Sequence, residues 1–245
     1  MRIESIGLPG SGKTTLSKGC RTALRAAGHV AVGPTELDQI DESYPPSNKG
    51  LWRHSNARQS HHIGQYLSEH LDMHQFFDTQ YSKNTRNIGL SLSVGADISR
   101  SFMHAEHFNY FFVDEGFLHL GSHALLEHAN WDFLNCADGL GIFLGIMPRP
   151  DAVIYTKASV ETATSGIFRR ISNLSDRQAQ RRFKNAFGGA PGMQSRLQLI
   201  DTIVKRLKYM GIPVITVAAH SPLVNIVDVS LRKLQAIKAT KELSL

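Results

Sequence analysis

The chain opens with a strand-like run, Arg2-Ile3-Glu4-Ser5-Ile6, and passes at once into Gly7-Leu8-Pro9-Gly10-Ser11-Gly12-Lys13-Thr14. These residues fill every fixed place of G-x-x-x-x-G-K-[ST], a loop that works only between a strand and a helix. The pattern therefore demands a buried strand, a tight glycine turn and a helix in succession. The helix is legible: Leu16, Cys20, Ala23, Leu24 and Ala27 fall at helical spacing over about 13–27, and Gly28 stands where a glycine ends a helix.

The chemistry of the loop follows from its residues. Gly7, Gly10 and Gly12 lack a Cβ, so they can take positive φ and bring backbone close to a ligand. Successive N–H groups then form an anion nest, and the positive end of the helix faces the same point. This predicts a binding site for the phosphates of a nucleoside triphosphate, built from Pro9, Gly10, Ser11, Gly12, Lys13, Thr14 and Thr15, with the choice between ATP and GTP left open. Lys13 supplies a point charge to the β/γ-phosphates. The Thr14 hydroxyl is a hard oxygen ligand for Mg²⁺.

Bulk properties bound the rest. A chain of 245 residues suits one α/β domain, here expected over 1–245, with a helical insert at about 50–108 and a lid at about 171–192. Neither the N-terminus nor any apolar run reads as a signal peptide or membrane span. Two cysteines, Cys20 and Cys136, make no disulfide framework, and a cytoplasmic setting is expected. The net charge of +6 favours anionic partners, but the arginines concentrate in 169–182, which points to a local phosphate role. A nucleic-acid partner is allowed rather than favoured. Oligomeric state is left open, a homodimer being one arrangement the sequence allows.

Strand and helix patterns alternate. Residues 29–32 read as a short strand, 33–50 as a Pro- and Gly-bearing loop, and 55–81 and 88–107 as helices. Asn109-Tyr110-Phe111-Phe112-Val113 is a buried-strand pattern, followed by helices at 117–128 and 132–144 around Asn130. A strand at 152–156 leads to a helix capped by Ser159. Residues 171–192 are polar, Arg-rich and Gly-rich. A helix at 194–210, a strand at 213–217 and a helix at 223–238 complete the pass. Such alternation predicts a three-layer fold with a central parallel sheet, the P-loop nucleoside triphosphate hydrolase architecture, with an Arg-rich lid. Its strand ends share one edge, where the P-loop, Glu36, Asp114 and the loop after Val217 converge.

A P-loop needs a carboxylate at the end of another buried strand to complete its Mg²⁺ site, and Asp114 after Val113 fits. Glu115 is placed to orient or deprotonate the attacking group. Arg169, Arg170, Arg177, Arg181 and Arg182 would meet charge that builds on phosphoryl oxygens, since arginine offers an always-charged fork of donors. Candidate catalytic residues are thus Lys13, Glu36, Asp114, Glu115, Arg169 and Arg170. Thr14 and Asp114 are the candidate Mg²⁺ residues.

The order of these motifs resembles the P-loop kinases of nucleosides and nucleoside monophosphates, nearest to the deoxynucleoside kinase and thymidylate kinase group. Pro150-Asp151-Ala152-Val153-Ile154-Tyr155, then a helix ending Ile167-Phe168-Arg169-Arg170, is similar to the stretch leading into that group's lid. The resemblance implies phosphate and Mg²⁺ roles for Lys13 and Thr14. It implies that Glu36 contacts or activates the acceptor hydroxyl, and that Arg169 and Arg170 serve the lid. The chain departs from the group at Asp114-Glu115, where Asp-Arg is usual, at Lys157, where Asp is usual, and at Glu36-Leu37, where Glu-Pro is usual. The implied activity is phosphoryl transfer from ATP to a small-molecule, nucleoside or nucleotide acceptor whose identity stays open.

Two other readings compete. One is a nucleotide switch or ATPase acting on a protein, although Asn48-Lys49 lacks the Asp of a GTPase base-reading motif. The other is a polynucleotide-end kinase, for which Trp52, Arg53, His54 and Arg58 would line a groove. Ten of the twelve histidines lie from His54 to His128. His70/His74 and His119/His123 have the i, i+4 spacing of metal ligands, but no His-Glu-x-x-His forms, so they read as surface or acceptor-pocket histidines.

Overall fold

A computed structural model describes residues 1–34, 36, 66–80, 94–95, 98, 101 and 105–243. The loop expected over 33–50 and the helices expected over 55–81 and 88–107 lie largely outside these residues, as do Trp52, Arg53, His54 and Arg58.

Five strands make one sheet: β1 (Arg2–Gly7), β2 (Ala31–Val32), β3 (Tyr110–Val113), β4 (Ala152–Lys157) and β5 (Val214–Ala218). Their order is β2-β3-β1-β4-β5 and every pairing is parallel, with Ile3 opposite Phe112 on one side of β1 and Ile6 opposite Tyr155 on the other. The architecture is α/β, as the alternation predicts. Because β1 is central and its neighbours come later in the chain, the sheet edge past Gly7 is the crevice where ligands bind in open parallel sheets.

Side chains alternate along the strands and separate two cores. Ile3, Ala152, Ile154 and Ile215 pack beneath α1 (Lys13–Ala26) and, after further elements, the last helix, α8 (Leu223–Glu242). Ile6, Val153 and Tyr155 face the larger core on the opposite side. That core is closed by α2 (Leu71–Gln75), α3 (Phe117–His128), α4 (Ala137–Ile146), α5 (Val160–Arg170), α6 (Asp176–Phe187) and α7 (Gly189–Tyr209). No described helix is long and apolar enough to cross a membrane.

Local signals explain most boundaries. Ser159 Oγ accepts from Thr162 N at 3.2 Å and caps α5. Between α3 and α4, Asn130 and Trp131 take φ of 50° and 66°, and a 3₁₀ turn (Phe133–Cys136) precedes α4. The edge strand β2 has two residues rather than four: Val30 N donates to Asn109 Oδ1 at 2.8 Å and His29 N to Leu24 O at 3.0 Å, so neither donates to the sheet.

Residues 171–192, polar and Arg-rich, are largely helical. Ser175 and Gln178 form a capping box, Ala179 and Phe183 bury one face of α6, and Arg177, Arg181 and Arg182 lie on its exposed face. Gly188, at φ 69°, closes α6 and opens α7, so the latter begins at Gly189 instead of 194.

Candidate active site

The loop from Gly7 to Gly12 leaves the end of β1 and enters α1 through Gly12, which is left-handed at φ 89° and offers no side-chain cap. The first N–H groups of α1 are therefore open to an anion. Gly10, at φ 83°, lies against α5, where an added Cβ would fall 2.2 Å from Ala163 O. Ser11 and Lys13 are buried, whereas Thr14 and Thr15 are exposed on the first turn of α1.

Lys13 Nζ turns back and donates to Gly7 O and Leu8 O, both at 3.0 Å. Its pKa falls to about 8, chiefly from burial, then from Arg196; Glu115 and Asp114 oppose the fall and Arg170 adds to it. The lysine is thus gripped by its own loop and surrounded by the charged residues of three other segments.

Asp114 follows β3. Burial raises its pKa above the ordinary value, while Ser17, Arg21 and Lys13 pull it down. Its Oδ1 is buried without a hydrogen-bond partner. A buried carboxylate oxygen without a partner is a hard oxygen ligand of the kind Mg²⁺ accepts.

The turn that carries Asp114 and Glu115 rests on Glu4. This β1 side chain is fully buried, and its Oε2 accepts from Leu118 N at 3.1 Å at the start of α3. Gly116, the N-cap of α3, has no side chain to do this, so a carboxylate from the adjacent strand satisfies the helix end. Burial raises the Glu4 pKa; Arg2 and the Leu118 N–H work against that.

A cavity of about 660 Å³ opens between the P-loop, α3, α5 and α6. Pro9 and Gly10 form one wall, Glu115, His119 and His123 another. Arg170 and Arg182 reach it from α5 and α6, and Trp131 from the turn after α3. Arg169 does not line it. Inside, His119 is held well below the ordinary histidine pKa, first by burial and then by the charges of Lys13 and Arg196, so it is neutral at pH 7. The i, i+4 pair His119/His123 thus faces the cavity from α3. Among the described residues, no three His, Cys, Asp or Glu side chains gather as a metal group.

Glu36 stands elsewhere, at the edge near β2. Arg21 Nη1 donates to its two oxygens at 2.6 and 2.5 Å, Arg25 Nη2 donates at 3.1 Å, and Gly33 N donates at 3.2 Å. Burial works to raise its pKa, but the Arg21 charge and the Arg25 hydrogen bond outweigh it and hold the group below the ordinary value. Arg21 links this cluster to Asp114, on which its charge also acts.

Three buried charges escaped the sequence reading. Arg2 and Glu4 were absorbed into a strand pattern. Arg196 lies among Met193, Leu199, Ile200 and Ile203 on the buried stripe of α7. In each case the usable signal was a charge at a position whose spacing demands burial.

No known family's sequence pattern matches the chain, and no curated relative matches it. Solved structures do. The chain is similar to deoxyadenosine kinase from M. mycoides with bound dATP, at 16% identity over 96% of this chain and 100% of that one, with a TM-score of 0.52. The same enzyme with bound dCTP matches at 16% identity, equal coverage and a TM-score of 0.54. The form holding the products dCMP and a flexible dCDP matches at 0.52. The fold is that of the deoxynucleoside-kinase-like P-loop proteins, in a divergent sequence.

Proposed function

We propose that this chain is an ATP-dependent kinase that moves the γ-phosphoryl group of ATP to a hydroxyl of a small-molecule, nucleoside or nucleotide acceptor. The observation that carries the reading is the common cavity: P-loop residues, the carboxylate of Glu115 and the guanidinium of Arg170 line one space of a size that holds a small acceptor. The likeness to kinases solved with dATP and dCTP supports it.

Each residue then has a task. The N–H groups of Pro9-to-Thr15 backbone, Pro9 excepted, cradle the phosphates, and Lys13 swings from its carbonyl partners to the β/γ-oxygens. Thr14 and Asp114 would hold Mg²⁺, which supplies neutralising charge at the phosphate oxygens. Glu115 orients the acceptor hydroxyl and takes its proton. Arg170, with Arg182 from α6, meets the equatorial charge, and the closed helices exclude water. Glu36 acts on the acceptor side, and its arginine clamp favours an anionic, hydrogen-bond-accepting role over proton transfer.

The test is ATP consumption across nucleosides, nucleoside monophosphates, sugars and oligonucleotides. Acceptor-dependent ADP release that vanishes in Lys13→Ala is the expected result. Consumption that no acceptor stimulates would assign the chain to ATPases acting on a partner, and stimulation by oligonucleotide ends alone would make it a polynucleotide-end kinase.

A further inference from the structure

The cations of 169–184 do not all serve one point. Arg170 and Arg182 reach the cavity, whereas Arg169, Arg177, Arg181 and Lys184 do not line it. All six are exposed. Asp176, in the first turn of α6, is the one acidic residue from 169 to 187. Among the described residues, no carboxylate forms a salt bridge with Arg169, Arg177, Arg181 or Lys184. Phosphoryl transfer in the cavity uses two of the six, and four cations are left over.

Helical geometry sets three of these in a row. Arg177, Arg181 and Lys184 follow at four- and three-residue intervals, so they share one stripe of α6, opposite the buried Ala179 and Phe183. At roughly 1.5 Å per residue the stripe is about 10 Å long. Beside it lies a shallow depression of about 430 Å³, lined by Gln178, Arg181, Arg182, Asn185 and Ala186. Arg182, Asn185 and Ala186 also line the large cavity, so the depression opens at its mouth. The guanidiniums of this lining can hold phosphate oxygens or lie flat on a base. The amides of Gln178 and Asn185 offer donors and acceptors to a base edge.

A row of cations beside such a depression fits an extended anion whose charges repeat. A bilayer fits it poorly: a helix that lies on a membrane puts its apolar side into the lipid, and the apolar side of α6 is turned into the core. Unpaired bases suit the amides, because a duplex engages the Watson–Crick edges in pairing. We propose that the outer face of α6 binds the phosphodiester backbone of single-stranded nucleic acid, with Arg177, Arg181, Arg182 and Lys184 on its phosphates and a base seated between Gln178 and Asn185. The surface does not depend on what the cavity phosphorylates, and the kinase reading can fail without it.

The test uses the full chain and a fluorescently labelled single-stranded oligonucleotide, with binding read by anisotropy over a range of KCl concentrations. Contacts to four cations predict that log K falls against log[KCl] with a slope of about −3, at roughly 0.7 for each phosphate neutralised. Arg177→Gln, Arg181→Gln and Lys184→Gln together should bring the slope to about −1 and weaken binding at low salt, and each alone should remove about 0.7. All three positions are exposed, so these variants should keep the wild-type melting temperature. An abasic strand of the same length should bind about tenfold more weakly than the natural one, the scale of losing one seated base. Wild type that does not bind at low salt would mean that the cations are merely solvated, and would overturn the proposal. An unchanged slope in the triple variant, or an abasic strand bound as tightly as the natural one, would do the same. So would tighter binding of a duplex, of a polyglutamate peptide or of phosphatidylserine vesicles.

Discussion

Glu4 sits directly under Gly116: a Cβ on that glycine would fall 2.5 Å from Glu4 Oε2. A strand carboxylate and a glycine in a distant turn therefore share one volume. The contact fixes the turn that presents Asp114 and Glu115, because Oε2 also holds the first turn of α3 through Leu118 N. Gly116→Ala overpacks this point and should cost about 1–3 kcal/mol in urea unfolding. Turnover should fall as well, since the displaced turn carries both carboxylates. Unchanged stability would show that Glu4 yields easily.

Glu4 also sets a pH dependence. Its folded pKa lies above the ordinary 4.5, so the folded state holds this proton more tightly than the unfolded chain. Its contribution is fully present below pH 4.5 and is lost as pH rises through the folded pKa. Glu4→Gln carries no such proton. The variant should gain stability relative to wild type between pH 4.5 and neutrality, read from urea midpoints at several pH values. A constant difference across that range contradicts the assignment.

Lys13 titrates where binding can be measured. With a pKa of about 8 in the free protein, it is largely charged at pH 7 and largely neutral at pH 9. Phosphate binding favours the charged form and raises that pKa. Affinity for an ATP analogue should therefore be level below pH 8 and fall up to tenfold per pH unit above it. Fluorescence titrations from pH 6.5 to 9.5 check this. Lys13→Ala should bind weakly with no such break.

Asp114→Asn keeps the shape of the side chain and removes its charge. The Mg²⁺ concentration for half-maximal turnover should rise about 10- to 100-fold, the cost of losing a carboxylate that orients a metal's ligands. A Mg²⁺ titration at saturating ATP reads this directly. An unchanged midpoint would falsify the metal role of Asp114.

The parts of the molecule that were legible in the sequence share a physical cause. The P-loop fixes a strand, a turn and a helix by backbone requirements alone, and the aromatic run at 110–113 can satisfy itself only inside a sheet. The helix at 176–187 was harder to read because α6 buries only Ala179 and Phe183 on its inner face, although Ser175 and Gln178 were a cap in plain view. Arg196 was hidden for the opposite reason. A single charge in an apolar stripe reads as a surface residue until packing shows the stripe facing inward. The clamp on Glu36 needed tertiary contact, because Arg21 and Arg25 approach it from one face of α1, four residues apart.

That clamp separates two roles for Glu36. Its pKa is held below 4.5, which makes it a weak base that stays ionised and accepts hydrogen bonds. Glu36→Gln should therefore raise the acceptor KM about tenfold, the worth of one charged hydrogen bond, and leave kcat within a few-fold. A large fall in kcat with KM unchanged would make it a base instead. Arg21→Met supplies the matching test. A depressed carboxylate pKa gives stability that is present above pH 4.5 and lost as pH falls through the folded value. Without Arg21 the Glu36 pKa moves up toward the ordinary range, so the wild-type advantage should shrink as urea unfolding is followed from pH 6 to pH 3.5. Arg21 also lowers the pKa of Asp114, so the same variant should shift the acid limb of Mg²⁺-dependent turnover upward. Both shifts should appear together, because one guanidinium acts on both carboxylates.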